Sequence, residues 1–282
     1  MGSMPTRAGR DKPIASAVAV AASGESVYHA RLMTTNRQDV SRWPAWLQLL
    51  RVPNLLTVPG DPLAGGLLAA GGIGSSVWLL TVPAGVLFYA FGLIVNDLRD
   101  LRVDRIERPS RPLPSGRITP AAARAAAAVL ATLALVLCAQ AGPRAFTVGV
   151  LLLHTVLLYN ILLKKVPVLG PLAMGACRGL NLLLGAAACP VAWAVLPAPR
   201  RWLLAGAASL LLLYIAGVTA LARREVQTGR AGLIGALLRG LLPLQAALCL
   251  AAGAGVTSWL AAALLLALWP ISGMVAKRFY MS

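Results

Sequence analysis

Acidic side chains are scarce in this chain and unevenly placed. Of nine Asp and Glu in 282 residues, four lie in the run Asn96-Asp97-Leu98-Arg99-Asp100-Leu101-Arg102-Val103-Asp104-Arg105-Ile106-Glu107. On an α-helix at about 100° per residue, Asn96, Asp97, Asp100 and Asp104 share an arc of roughly 100°. One helix face would then carry three carboxylates and an amide. Like charges so close repel unless a cation stands among them. Mg²⁺ suits that role, because it takes carboxylate and carbonyl oxygen and leaves coordination positions for phosphate. The alternative is a solvated segment whose acids pair with Arg99, Arg102, Arg105 and Arg108.

The residues that follow favour the cation. Arg108-Pro109-Ser110-Arg111-Pro112-Leu113-Pro114-Ser115-Gly116-Arg117 is a proline-stiffened loop with guanidinium groups at intervals. Arginine forks match phosphate oxygens two at a time. A cation site beside an arginine clamp suits a diphosphate, and a diphosphate on a lipid tail would leave the tail in an apolar interior.

The elements needed to position such a site are membrane helices. Hydrophobic residues make up 58% of the chain and charged residues 12%, about half the charge of a soluble domain. That excludes an ordinary soluble enzyme, a disordered protein and a coiled coil. Apolar stretches near the required length of about 20 residues run over 46–71, 77–98, 120–139, 145–163, 168–196, 202–222, 231–253 and 257–276. The expected architecture is all-α, a polytopic bundle of about eight spans. No period-2 alternation long enough for a barrel strand occurs. The 26 Lys and Arg give a net charge of +17, and their placement argues against nucleic acid as a partner. With the N-terminus inside, 21 of the 26 fall on the cytoplasmic side and three (Arg144, Arg200, Arg201) on the other, the positive-inside pattern. Both termini are then cytoplasmic. Residues 1–44 read as a flexible polar tail, and 45–282 as a single membrane domain. Cys138, Cys177, Cys189 and Cys249 lie in apolar runs without metal-ligand spacing, as buried thiols do.

The pattern Asn96-Asp97-x-x-Asp100-x-x-x-Asp104-x-x-x-Arg108-Pro109-x-Arg111-Pro112-x-x-Ser115-Gly116 resembles the first aspartate-rich motif of the UbiA superfamily of intramembrane prenyltransferases. Tyr159-x-x-x-x-Lys164 at the end of the fourth span and Arg178-Gly179-x-Asn181 in the fifth agree with it. The run from Gly170 to Asn181 is similar to the EboC-type branch. The resemblance implies a helical bundle around a cavity, with Mg²⁺ bridging acidic motifs to the diphosphate of an isoprenoid donor. It implies metal-binding roles for Asn96, Asp100 and Asp104, with Asp97 beside them, and a diphosphate contact for Lys164. Asp100, Asp104 and Lys164 become the expected catalytic set, with Arg108 and Arg111 in the loop that closes over the donor and Tyr159 on the substrate. It also implies a multi-pass place in a membrane, taken to be the bacterial inner membrane.

Two departures stand out. The family's second motif carries two or more aspartates after the sixth span, whereas Thr219-Ala220-Leu221-Ala222-Arg223-Arg224-Glu225 holds one acid. Either Glu225 alone holds a second cation, or Arg223 and Arg224 replace its charge, or the donor site is inactive. The family norm is nine helices, and this chain shows eight spans.

Among the remaining polar residues, Asp61 sits in a proline- and glycine-broken part of the first span, with Asn54 two turns earlier. Ionisable groups at membrane depth usually face the bundle interior, so Asp61 and Asn54 are expected to line the substrate cavity, on the acceptor side. Arg178 and Asn181 share a helix face and are expected there too. His154, Tyr89 and Tyr214 read as packing residues. The expected reaction moves a prenyl group from an isoprenoid diphosphate to a small aromatic acceptor, or to a lipid acceptor. Phosphoribosyl transfer to a lipid phosphate and a non-catalytic, lipid-binding or transporting UbiA-like protein are the competing readings.

Overall fold

The first span is broken where its prolines and glycine fall. In the computed structural model, which describes residues 1–2, 42–70, 78–190, 195–225 and 231–280, it becomes three short helices: α1 (Arg42–Leu49), α2 (Val52–Leu55) and α3 (Gly60–Ala70). Pro53 sits in the first turn of α2 and Pro62 in the first turn of α3, where a missing N–H costs little. Arg51, between α1 and α2, takes a left-handed conformation at φ 46°, which is uncommon for a residue with a Cβ.

The rest of the described chain is helical, with no strand among the described residues: α4 (Trp78–Glu107), α5 (Pro120–Ala141), α6 (Pro143–Leu158), α7 (Leu169–Ala187), α8 (Ala198–Glu225), α9 (Ala231–Arg239), α10 (Leu241–Ala251) and α11 (Val256–Tyr280). The ends follow the sequence. Thr119 caps α5, its hydroxyl accepting from the Ala122 N–H at 3.2 Å, and Pro120 and Pro143 occupy first helical positions. Gly142, at φ 119°, makes the turn between α5 and α6.

Among the described residues, six helices are long and apolar enough to cross a membrane: Trp78–Glu107, Pro120–Ala141, Pro143–Leu163, Ala198–Arg223, Gly232–Ala251 and Val256–Lys277. The first expected span (46–71) is the broken α1–α3 segment, and the fifth (168–196) is the shorter α7, which buries Arg178 and Asn181. The seventh is interrupted at Gly240, between α9 and α10. With 30 residues at 1.5 Å each, α4 is about 45 Å long, more than the roughly 30 Å of a hydrocarbon core. Its acidic C-terminal turns therefore project past the apolar layer. Trp43, Trp78, Trp202 and Trp259 are exposed near helix ends, as interfacial anchors are.

Trp43–Ser282 forms one unit; the expected tail falls almost entirely outside the described residues. The unit is built on two apolar clusters. One joins Leu49 of α1 to Phe88, Phe91 and Ile94 of α4, Cys138 of α5 and Leu152 of α6. The other joins Leu67 of α3, Leu182 of α7, Leu211 of α8, Leu242 of α10 and Leu265 of α11. Reciprocal glycine contacts bring α3 and α7 together: a Cβ on Gly65 would collide with the Leu182 carbonyl, and one on Gly185 with the Pro62 carbonyl. Small residues permit such backbone approach between membrane helices.

Candidate active site

A cavity of about 420 Å³ lies between the two clusters, within the range of small-ligand sites. Its walls are apolar, from Phe88, Leu93, Leu152, Val156, Met174, Ile215 and Leu238. Its mouth carries Arg51, Asn96, Asp100, Arg108, Arg111 and Lys164. A greasy chamber with a charged rim is the arrangement the sequence anticipates.

The helix face of α4 divides at this rim. Asn96 and Asp100 face the cavity, and Lys164 reaches both of them: its ammonium donates to Asn96 Oδ1 at 2.7 Å and pairs with Asp100 Oδ2. Asn96 Nδ2 in turn donates to Asp97 Oδ1 at 3.2 Å and Asp100 Oδ2 at 3.4 Å. Asp97 and Asp104 are 5% and 3% exposed and do not line the cavity. Asp97 accepts from Arg51 Nη2 at 2.8 Å, and Asp104 from Arg111 Nη1 at 2.7 Å. Metal roles were expected for both acids and a catalytic role for Asp104; here they hold two arginines at the mouth and do not face the cavity. The alternative pairing with Arg99, Arg102, Arg105 and Arg108 is not the one found: the cations are Arg51 between α1 and α2, Arg111 in the loop after α4, and Lys164 after the π-helical turn that ends α6.

The loop itself is fixed. Leu113 and Ile118 are buried in the α4–α5 core. Arg117 donates to Gln48 Oε1 at 2.9 Å and to the Ser110 carbonyl at 2.6 Å, tying the loop to α1. Arg108 and Arg111 both line the cavity.

The deeper polar residues form a network. Asp61 is 0% exposed and does not line the cavity as expected. It accepts from Arg178 Nη1 at 2.7 Å, Asn181 Nδ2 at 3.1 Å and Gln245 Nε2 at 2.6 Å. Arg178 also donates to the Thr57 carbonyl at 3.1 Å and the Thr57 hydroxyl at 2.6 Å, and lies 5.4 Å from the centre of the Tyr89 ring. Arg178, Asn181 and Asn54 line the cavity, as expected. Tyr159 lines it too, from a π-helical turn, Tyr159–Leu163, that ends α6.

On the α8 side of the mouth stand Thr219 and Ala222. Arg223 is turned away: its guanidinium donates to the carbonyls of Val166 (2.8 Å), Pro167 (3.1 Å) and Lys164. The expected substrate contact by Arg223 is replaced by this backbone contact. The Glu225 side chain, expected as a metal ligand, lies outside the described residues. His154 faces outward and shares a hydrogen bond with the Val150 carbonyl at 2.8 Å.

The UbiA prenyltransferase family model matches residues 62–280. The chain belongs to the UbiA prenyltransferase family. Among its UbiA-type relatives, the digeranylgeranylglyceryl phosphate synthase of Methanoculleus marisnigri is 36% identical over 152 residues, which is 51% of each chain. The chain thus spans about half the length of the curated relatives it matches. A solved structure described as concerning digeranylgeranylglyceryl phosphate synthase in membranes covers 86% of this chain and 95% of its own, at 22% identity and a TM-score of 0.57. A UbiA homologue from Archaeoglobus fulgidus bound to GPP and Mg²⁺ covers 83% and 96%, at 15% identity and a TM-score of 0.50. Those likenesses show the UbiA fold.

Three polar residues of this UbiA fold escaped the sequence reading. Arg51 entered only the count of cytoplasmic basic residues, although it stands three residues before Asn54 near the start of the first span. Gln245 is the lone amide in the apolar run Leu241–Ala251, a signal of the kind that marks interior polar groups in membrane helices. Thr57 carried no signal beyond its place among the breaks of the first span.

Proposed function

We propose that this chain transfers a prenyl group from an isoprenoid diphosphate to a lipid acceptor within a membrane, in the presence of Mg²⁺. The observation that carries the reading is the junction of an apolar cavity with a rim holding Asn96, Asp100 and Lys164 beside Arg51, Arg108 and Arg111. The tail of the donor suits the apolar walls, and its diphosphate suits the cationic rim.

The rim fits a magnesium ion that arrives with a phosphate. Among the described residues, no cluster of three or more His, Cys, Asp or Glu could cage a metal unaided. Mg²⁺ does not need one: it commonly takes one or two carboxylates and fills its other positions with water and phosphate oxygen. The Asp100 carboxylate and the Asn96 amide oxygen form such a set, and both already converge on a cation, the Lys164 ammonium. The homologue bound to GPP and Mg²⁺ supports the choice of ion and donor. When bound, Mg²⁺ would supply charge stabilisation to the departing diphosphate.

This chain's own residues do the rest. Lys164, Arg51, Arg108 and Arg111 place donors and positive charge where negative charge grows as the bond between the allylic carbon and the diphosphate oxygen breaks. Phe88, Leu93, Leu152 and Val156 exclude water that would quench the electron-poor carbon. The nucleophilic hydroxyl oxygen of the acceptor forms the new bond to that carbon, the diphosphate leaves with the electron pair, and the hydroxyl proton passes to a diphosphate oxygen. A lipid hydroxyl replaces the aromatic acceptor expected from the sequence, because the curated relatives are named digeranylgeranylglyceryl phosphate synthases. A glyceryl phosphate lipid is the acceptor class we infer. Placement of both termini in the cytoplasm, supported by the basic-residue distribution, puts the charged mouth on that side.

The test is release of diphosphate from prenyl diphosphates of increasing length, with a glyceryl phosphate lipid as acceptor and with and without Mg²⁺. Wild type should release diphosphate with the ion, and Asp100→Ala should lose about a hundredfold or more of that rate, as for loss of one transition-state contact. Equal release from both proteins refutes the assignment. The single acid in the sequence Thr219–Glu225 at the end of α8, where the family's second motif carries two or more aspartates, favours a second reading, a lipid-diphosphate binder without turnover. Donor binding with no release by wild type would select it.

A further inference from the structure

We infer that Arg223 is a positioning residue, which latches the backbone behind Lys164 and so holds that ammonium at the cavity mouth. The inference rests on the donor-site reading for its catalytic consequence, but its geometry stands alone.

Lys164 follows Tyr159 by five residues, and both line the cavity. In a continuous α-helix, residues five apart stand about 140° from one another and would not share a wall. The π-helical turn Tyr159–Leu163 resolves this. It takes up the extra residue, and the Lys164 N–H donates to the Tyr159 carbonyl at 2.8 Å, an i to i−5 bond. Such turns are rare and often occur at functional sites, and one at a helix end needs support from outside the helix.

Arg223 provides the support. A helix C-terminus leaves carbonyls without intrahelical partners. The Arg223 fork from α8 crosses to the connection just past this end and donates to three of its carbonyls, that of Lys164 at the C-cap and those of Val166 and Pro167 in the turn that follows. Its charge also suits the negative end of the helix dipole. The crossing passes over Gly170, where a Cβ would strike both Arg223 Nη2 and the Leu163 carbonyl. Gly170 therefore matters as the floor on which the guanidinium rests. Without the latch the turn is free to relax toward ordinary α-helical bonding, and Lys164 rotates away from Asn96 and Asp100.

The test uses the full chain in detergent or nanodiscs, with Arg223→Ala, Arg223→Lys, Gly170→Ala and Lys164→Ala. Acylation of Lys164 by acetic anhydride, read by mass spectrometry against exposed Lys165 as internal reference, needs no substrate. Lys164, held by Asp100 and Asn96, should react slowly in wild type. Its rate relative to Lys165 should rise severalfold in Arg223→Ala and Gly170→Ala and less in Arg223→Lys. With geranyl diphosphate as donor, Arg223→Ala should raise KM about tenfold through the displaced ammonium. It should add less than twofold on a Lys164→Ala background, the non-additivity expected of residues acting through one another. An unchanged Lys164 to Lys165 ratio, or full additivity with Lys164→Ala, overturns the latch. If Arg223→Ala does not fold, Arg223→Lys and Gly170→Ala decide by the same ratio. If wild type releases no diphosphate, the functional reading fails while the acylation ratio still judges the latch.

Discussion

Removing the Asp61 carboxylate tests whether the deep polar cluster serves architecture. Asp61 is fully buried and accepts from Arg178, Asn181 and Gln245, so it ties α3 to α7 and α10. In Asp61→Ala, Arg178, itself 6% exposed, keeps only Thr57 as an acceptor, with no opposing charge. Breaking a buried ion pair from one side costs about 3–5 kcal/mol. In a domain of this size each kcal/mol moves the melting temperature by about 2–4 °C, so the expected loss is about 6–20 °C. Replacing both partners, Asp61→Ala with Arg178→Met, should recover a large part of it, because no unpaired charge remains. The assay is thermal unfolding in one detergent for wild type, both single variants and the double variant. A fall below 2 °C in Asp61→Ala, or losses that simply add in the double variant, refutes the reasoning.

Other expectations follow from the same geometry. Arg51→Gln, which removes a rim cation while leaving Asp97 on α4, should raise the KM for a prenyl diphosphate about tenfold or more, measured by diphosphate release. Gly185→Ala forces a methyl group into the Pro62 carbonyl, and overpacking of this kind costs about 1–3 kcal/mol. Gly206→Ala meets open space and should leave the melting temperature unchanged or raise it slightly. Thr119→Ala removes the cap of α5 and should cost about 1 kcal/mol in unfolding free energy, visible as a small fall in melting temperature.

The helix face of α4 was legible in the sequence, and the direction it faces was not. Taking Asn96 as zero, Asp100 falls near 40°, Asp104 near 80° and Asp97 near 100° at about 100° per residue. The order around the arc is thus readable, with Asn96 and Asp100 at one edge and Asp104 and Asp97 at the other. Which edge meets the cavity depends on Arg51 and Arg111, which draw the second edge toward α1 and the loop, and spacing along one helix carries no information about them. The breaks at Pro53, Pro59 and Pro62 were readable from residue type, because proline and glycine act locally. The π-turn was hidden: Ile161-Leu162-Leu163 would suit an α-helix equally well, and the wider turn is visible only once Tyr159 and Lys164 are known to share a wall. The interior place of Arg178 and Asn181 followed from charge at membrane depth, whereas their attachment to Asp61 needed the packing of α3 on α7.

Each acid at the rim already has a partner, so the resting mouth behaves as a miniature ion exchanger. On the reading proposed above, a donor phosphate arriving at Lys164 would draw its ammonium off the Asp100 carboxylate. That carboxylate would then stand open to a metal ion, and each guest would prepare the place of the other. By reciprocity each then tightens the other's hold by the same factor, and the two settle best when they arrive together.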